Sequence, residues 1–144
     1  MNVRTIPVGP LATNCYILSN DNRCLIIDPG DEGERILDEV RAAMGVAVPA
    51  EAAVQAILLS HGHFDHTMAA GYLQKGTGAP VYVGARDKGM IMEPGCMKDF
   101  VPPSCEPPSD LRTLSEGDRV ALGDVVLDVW ETPGHSPGSL TFVL

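Results

Sequence analysis

The chemistry of this chain is concentrated in seven consecutive residues. Ser60-His61-Gly62-His63-Phe64-Asp65-His66 holds three of the four histidines in the 144-residue sequence and an aspartate among them, directly after the apolar run Ile57-Leu58-Leu59. Neutral imidazoles and a carboxylate aimed at one point are what a borderline-soft divalent metal requires. The plain alternative is a polar, histidine-rich turn without a ligand. His61 and His63 are two residues apart, so in an extended or turn conformation both rings face the same side. Asp65 and His66 lie further on and address a neighbouring position. One ion cannot easily use all four residues, but two ions side by side can. A tetrahedral catalytic zinc takes three protein ligands and keeps a fourth position for water. His61 and His63 supply two, and His135 is the one histidine left for the third. Its other reading is a turn histidine with no ligand role. Asp65 and His66 then begin a second site that lacks partners in this chain.

The surrounding elements must bring these residues together. Arg4 to Val8 and Asn14 to Ser19 favour β structure, and Asn20-Asp21-Asn22 is turn chemistry that pairs Tyr16-Ile17-Leu18 with Cys24-Leu25-Ile26-Ile27 as a hairpin. The second strand ends in Asp28-Pro29-Gly30, where Asp28 reads equally as a functional carboxylate or a turn and capping residue. Ile36, Leu37, Val40 and Met44 predict a helix from Glu32 to Met44, stopped by Gly45. The strand from Gln55 to Leu59, apolar at consecutive positions, reads as covered on both faces and delivers His61 to its carboxyl end. A short helix is expected over His66 to Lys75, a strand over Val81 to Val83 and a helix over Ala85 to Met92. Five of the twelve prolines lie between Glu93 and Asp110, which predicts a long irregular loop, either a cover for the site or an inert insertion. Gly123-Asp124 then joins Arg119 to Leu122 and Val125 to Trp130 as a hairpin. Thr132 to Ser139 is a stiff turn presenting His135, and Leu140 to Leu144 reads as a final strand.

Composition bounds the rest. The length suits one domain, and no apolar run approaches the ~20 residues of a membrane span. Residues Met1 to Val8 lack a signal peptide's apolar core, so the cytoplasm is the expected location. Nineteen acidic against ten basic residues give a net charge of −9, with no basic stripe to displace counterions from a nucleic acid. Of the four cysteines, Cys15 and Cys24 sit in strand-like runs as small hydrophobes. Cys96 and Cys105 are expected to be reduced as well, with a loop disulfide or soft-metal site as the alternative.

His61-Gly62-His63-Phe64-Asp65-His66 resembles the H-x-H-x-D-H signature of the metallo-β-lactamase-fold hydrolases. Thr132-Pro133-Gly134-His135-Ser136-Pro137-Gly138-Ser139 is similar to that family's T-P-G-H-T-P-G-S element, and Ile27-Asp28-Pro29-Gly30 to its early D-P-G turn. Within the superfamily the chain most resembles the glyoxalase II-like proteins. The resemblance implies an α/β fold, an αβ/βα sandwich present as its N-terminal half plus the start of the second half, in a single incomplete domain over residues 1–144. It implies zinc as cofactor, in one or two ions, with iron or manganese as alternatives. His61, His63 and His135 would bind the first ion, Asp65 and His66 the second, and Asp28 would steady the metal-bearing loops. His63 stands where flavodiiron relatives carry glutamate, which argues against electron transfer. The family's later bridging aspartate and last histidine have no counterpart here. The chain is therefore expected to be a fragment, or to meet a second chain that completes the site.

The activity so implied is hydrolysis of a small thioester or ester by a metal-activated hydroxide, with Asp65 helping to orient the nucleophile. No serine sits in a nucleophile-elbow context. Two other classes stay open: an iron-dependent, persulfide dioxygenase-like oxidoreductase, and a non-catalytic metal-binding fragment. The partner in either enzymatic case is a small molecule, with neither nucleic acid nor membrane.

Overall fold

The computed structural model describes residues 1–45, 49–93 and 95–144, with the backbone alone for residues 50, 51 and 95–97. Strand β1 (Asn2–Val8) runs antiparallel to β2 (Thr13–Asn20), and β2 to β3 (Arg23–Ile27). The β2–β3 hairpin closes at Asn20↔Arg23, with Asp21 in the left-handed region at φ 51°. From β3 onward the sheet is parallel, continuing through β4 (Val54–Leu58), β5 (Val81–Gly84) and β6 (Leu111–Leu114). Helices α1 (Gly33–Met44) and α2 (Ala50–Ala53) lie between β3 and β4. Helices α3 (Phe64–Thr67) and α4 (Ala70–Thr77) lie between β4 and β5, and α5 (Lys88–Met92) follows β5. A second sheet is antiparallel: β7 (Arg119–Leu122), β8 (Val125–Glu131) and β9 (Leu140–Val143), in that order.

Alternate residues of the first sheet feed two apolar layers. Ile17, Ile26, Ile57 and Val81 face Ile36, Leu37 and Val40 of α1 and Leu73 of α4. Leu18, Leu25 and Leu58 face Leu122, Leu127, Val129 and Leu140 across the gap between the sheets. Burial on both sides is why Ala56 to Leu59, at the end of β4, are apolar at consecutive positions, while Gln55 near its start is exposed. Each fully buried Leu or Ile contributes about 1.5–3 kcal/mol, so both layers matter to stability. On β8, Leu127 and Val129 point inward while Trp130 is exposed, as the alternation predicts.

Four expectations need correction. The helix expected over His66 to Lys75 is two helices, α3 and α4, because the Ala69 amide donates to Pro29 O (3.0 Å) and the chain bends onto the Asp28-Pro29-Gly30 turn. The proline-rich stretch is not wholly irregular: Gly95–Phe100, which contains no proline, winds as a 3₁₀ helix. The helix expected over Ala85 to Met92 begins as a 3₁₀ turn, Ala85–Asp87, and is α-helical only over Lys88–Met92. Strand β6 lies outside the expected elements, since Leu111-Arg112-Thr113-Leu114 has no alternation, and its identity comes from pairing with β5. The proline-rich stretch packs onto the histidine-rich segment: Phe100 stacks on Phe64 at 5.3 Å, and the Cys105 thiol donates to Met68 O (2.8 Å). Cys15, Cys24 and Cys105 are free thiols, while the Cys96 side chain lies outside the described residues.

Candidate metal centre

Parallel strands present their carboxyl ends on one edge, where ligands bind in sheets of this kind. Asp28 follows β3, His61 follows β4 and Asp87 follows β5. His135 arrives from the other sheet, in the turn between β8 and β9. That turn is closed by Thr132 N–H to Ser139 O (2.9 Å) and joined to the first sheet by Leu140 N–H to Ser60 O (2.7 Å).

His61, His63 and His135 each offer one ligand atom, all within 4.8 Å of one another. His61 Nε2 lies 3.1 Å from His63 Nδ1, which lies 3.1 Å from His135 Nε2. A tetrahedron with bonds of about 2.0–2.1 Å has edges of about 3.3–3.4 Å, so both short edges are close to those of an imidazole-bound ion. His61 is buried, His63 half-buried and His135 exposed, which gives the centre a closed floor and an open side. Burial first, then the neighbouring His66, pushes the His61 pKa down to about 4, so its ring is neutral and competent as a ligand in neutral solution.

The hydrogen bonds fix the tautomers behind this cluster. The carboxyl of Asp28, 5% exposed, accepts Ser60 N–H at Oδ1 (2.7 Å) and Ser60 Oγ–H at Oδ2 (2.6 Å). The serine's one proton is thereby used, so at 3.0 Å it is His61 Nδ1–H that donates to Ser60 Oγ. His61 Nε2 is then a bare lone pair facing the other two histidines. His66 Nδ1 also donates to Asp28 Oδ2 (3.0 Å), leaving its Nε2 lone pair 3.4 Å from Asp65 Oδ2. Burial opposes charging of His66, but the Asp28 hydrogen bond and the charges of Asp28 and Asp65 outweigh it and raise the pKa. Thr13 Oγ–H donates to Asp65 Oδ2 (2.9 Å) and anchors that carboxylate. His63 Nδ1, 3.1 Å from both Nε2 atoms, can donate one proton to either of them in the metal-free protein, and a cation can take that proton's place with three imidazole nitrogens around it. The donor set therefore fits a metal at the three histidines and a partial second position at Asp65 and His66.

The six residues singled out from the sequence thus fall into one assembly: His61, His63 and His135 in the cluster, Asp65 and His66 beside it, Asp28 beneath both. The sequence reading missed Asp87. Wholly buried, it accepts Gly62 N–H (2.9 Å) and Ser136 Oγ–H (2.5 Å) at Oδ2 and Gly138 N–H (2.7 Å) at Oδ1. In the sequence it falls in the first turn of the helix expected over Ala85 to Met92, where an acidic residue is ordinary. Gly62 is not in the left-handed region; a Cβ there would lie 2.9 Å from Asp87 O and 3.0 Å from Met90 Cβ. A side chain is excluded by that close approach.

The fold and this edge of histidines define a class. The model of the metallo-beta-lactamase superfamily matches residues 8–144, and the chain belongs to that superfamily. Among curated relatives it is 34% identical over 146 residues to the "Probable metallo-hydrolase YqgX" of Bacillus subtilis, covering 99% of this chain and 65% of that protein. To the "Hydroxyacylglutathione hydrolase GloC" of Haemophilus influenzae it is 28% identical over 147 residues, covering 99% and 66%. Among solved structures, the BLEG-1 B3 metallo-beta-lactamase superposes with a TM-score of 0.79 at 30% identity, covering 98% of this chain and 66% of that one. TTHA1623 in a di-iron-bound form gives a TM-score of 0.78 at 31% identity, covering 96% and 65%. The chain spans about two thirds of the length of these relatives. No helix among the described residues is long and apolar enough to cross a membrane.

Proposed function

We propose that residues 1–144 form a single metallo-β-lactamase-like domain carrying the metal-bearing part of a hydrolase of small thioesters or esters, of the glyoxalase II-like kind. The observation that carries this reading is the convergence of His61 Nε2, His63 Nδ1 and His135 Nε2, with Asp65 and His66 alongside. The likeness to the hydroxyacylglutathione hydrolase supports the thioester class. His61, His63 and His135 would hold one ion; Asp65 and His66 would contribute to a second. When bound, such an ion is a Lewis acid that polarises a carbonyl and lowers the pKa of water toward neutrality.

The chain's own residues do the rest. Asp28 holds the Ser60 proton, Ser60 holds the Nδ1 proton of His61, and the lone pair of His61 Nε2 is kept facing the centre. Asp28 fixes His66 in the same tautomer. Asp65, tethered through Oδ2 by Thr13, would accept a hydrogen bond from the attacking water and so orient it toward the carbonyl carbon. The proposed resident metal is zinc, suited to three imidazoles and hydrolysis. Iron is the second reading, favoured by the di-iron-bound relative of similar fold, and with it a persulfide dioxygenase-like oxidation.

The test is a substrate panel with the metal-loaded protein: glutathione thioesters read by thiol release, a β-lactam by its absorbance, and glutathione persulfide by oxygen uptake. Thiol release from thioesters alone supports the proposal. Oxygen uptake with persulfide replaces it with the iron reading, β-lactam turnover replaces the substrate class, and metal binding without turnover reduces the chain to a metal-binding fragment.

A further inference from the structure

Asp87 is the buried titratable group that the proposed chemistry leaves unused. The geometry points to Asp87 as a positioning residue for the three-histidine centre: it locks the turn carrying His135 onto the turn carrying His61 and His63, and so sets the centre's affinity for a divalent ion. The inference rests on the reading of the three histidines as a metal centre.

Asp87 stands at the N-cap of α5, where an aspartate ordinarily satisfies the first amides of its own helix. Its side chain makes no capping bond there. The carboxyl instead turns away from α5 to three donors on two other segments. Oδ2 takes the amide of Gly62, the residue between His61 and His63, and the hydroxyl of Ser136, the residue after His135. Oδ1 takes the amide of Gly138. One carboxyl group thus bridges neighbours of all three histidines, across 25 residues in one direction and 51 in the other.

The turn lies flush against this carboxyl. A Cβ on Gly138 would stand 2.7 Å from Asp87 N and 2.8 Å from Asp87 Cγ, so only glycine allows the approach. The other bonds of the turn fix its ends: Thr132 to Ser139, and Leu140 to Ser60. Ser136 is further tied to Ser139 through their hydroxyls (2.7 Å), which makes the tip of the turn a unit held by Asp87. His135 is the exposed member of the cluster and comes from the other sheet, so its place depends on how its turn is held against the first sheet. Fixing that segment in advance removes an ordering cost that metal binding would otherwise carry. Partners that orient metal ligands from behind typically change affinity by about 10–100-fold when removed.

The experiment compares zinc affinity by chelator competition, the visible bands of the cobalt(II)-loaded protein and the melting temperature of the metal-free protein. The variants are Asp87→Asn, Ser136→Ala and each of these combined with His135→Ala. Asp87→Asn is expected to weaken zinc binding about 10–100-fold and to alter the cobalt bands. Ser136→Ala removes one donor and weakens zinc binding less, with the metal-free melting temperature nearly unchanged. In the His135→Ala background neither change has much further effect on affinity, because the grip on His135 is already without purpose. If Asp87→Asn does not fold, Ser136→Ala and its combination with His135→Ala decide the matter. Unchanged zinc affinity in the folded variants, or an equal loss in the His135→Ala background, overturns the inference while leaving the metal centre intact. A wild-type protein that takes up no zinc or cobalt overturns the metal-centre reading and the inference together.

Discussion

Replacing Asp28 by asparagine changes one oxygen to an amide, and the hydrogen-bond network predicts that two imidazoles will change tautomer in response. In the native arrangement Oδ2 accepts from both Ser60 Oγ (2.6 Å) and His66 Nδ1 (3.0 Å), while Oδ1 accepts Ser60 N–H (2.7 Å). An asparagine keeps its oxygen on the Ser60 amide and turns its NH₂ toward the other two. His66 Nδ1 must then accept, so its proton moves to Nε2, facing Asp65. Ser60 Oγ must accept too, so its proton turns to His61 Nδ1 and the His61 proton moves to Nε2, into the three-histidine cluster. Asp28 lies at φ 54°, a left-handed conformation that asparagine tolerates. Hydrogen bonds to a charged group are worth about 1.5–3 kcal/mol each and neutral ones about 0.5–1.5 kcal/mol. With all three bonds neutral and each weaker by about 1–1.5 kcal/mol, a stability loss of about 3–4 kcal/mol follows, less than the stability of an ordinary domain of about 5–15 kcal/mol, so the fold persists. The assay is long-range ¹⁵N–¹H correlation of the imidazole nitrogens in metal-free protein, at a pH above the raised His66 pKa. The wild type should show Nδ1–H tautomers at His61 and His66, and Asp28→Asn should show Nε2–H at both. Nε2–H at His61 in the wild type, or no change in the variant, would refute the reasoning.

The remaining predictions concern titration and the cysteines. His61 is held neutral in the folded protein, with a pKa near 4 against an ordinary 6.5, so the unfolded chain binds the extra proton between these values. Metal-free stability should therefore fall as pH drops from 6.5 toward 4. The raised pKa of His66 acts in the opposite direction, with stabilisation present below 6.5 and lost as pH rises through its folded value. Melting temperatures of wild type and His61→Gln across this range check the sign, and a steeper acid loss in the variant would contradict it. Burial pushes the Cys15 and Cys24 thiols up to about 12, with the Asp28 charge adding to the effect at Cys15. Both should resist alkylation at neutral pH in the folded protein and react once it is unfolded. Rapid labelling of either in the native state, located by mass spectrometry, would show that the first sheet's core opens.

Much of the fold was legible because its signals are local. The β2–β3 and β7–β8 hairpins follow from their turn residues, and β4 from the apolar run Ala56 to Leu59. The histidine segment announces itself through residue type alone, and His135 through being the last of its kind. What could not be read depends on partners far away in the chain. The bend between α3 and α4 exists because Ala69 finds Pro29 O, β6 exists because β5 supplies its ladder, and the role of Asp87 is set by Gly62 and Gly138. An aspartate in the first turn of an expected helix looks ordinary in any sequence. Only the fold shows its carboxyl turned elsewhere. The paired lone pairs at His66 and Asp65 were likewise beyond reach, since they follow from a tautomer that Asp28 dictates across 38 residues.

The central claim is that His61, His63 and His135 form one metal centre, and metal uptake tests it directly. Purified protein, stripped by chelator and titrated with zinc(II) and with iron(II) in separate anaerobic experiments, should bind at least one ion tightly, as read by calorimetry and elemental analysis. His61→Ala should abolish that tight event and His135→Ala should reduce it to the weak residual affinity of a two-histidine site, both leaving the far-ultraviolet circular dichroism unchanged. A folded wild type that binds neither ion, or alanine variants that keep the full affinity, would contradict the account.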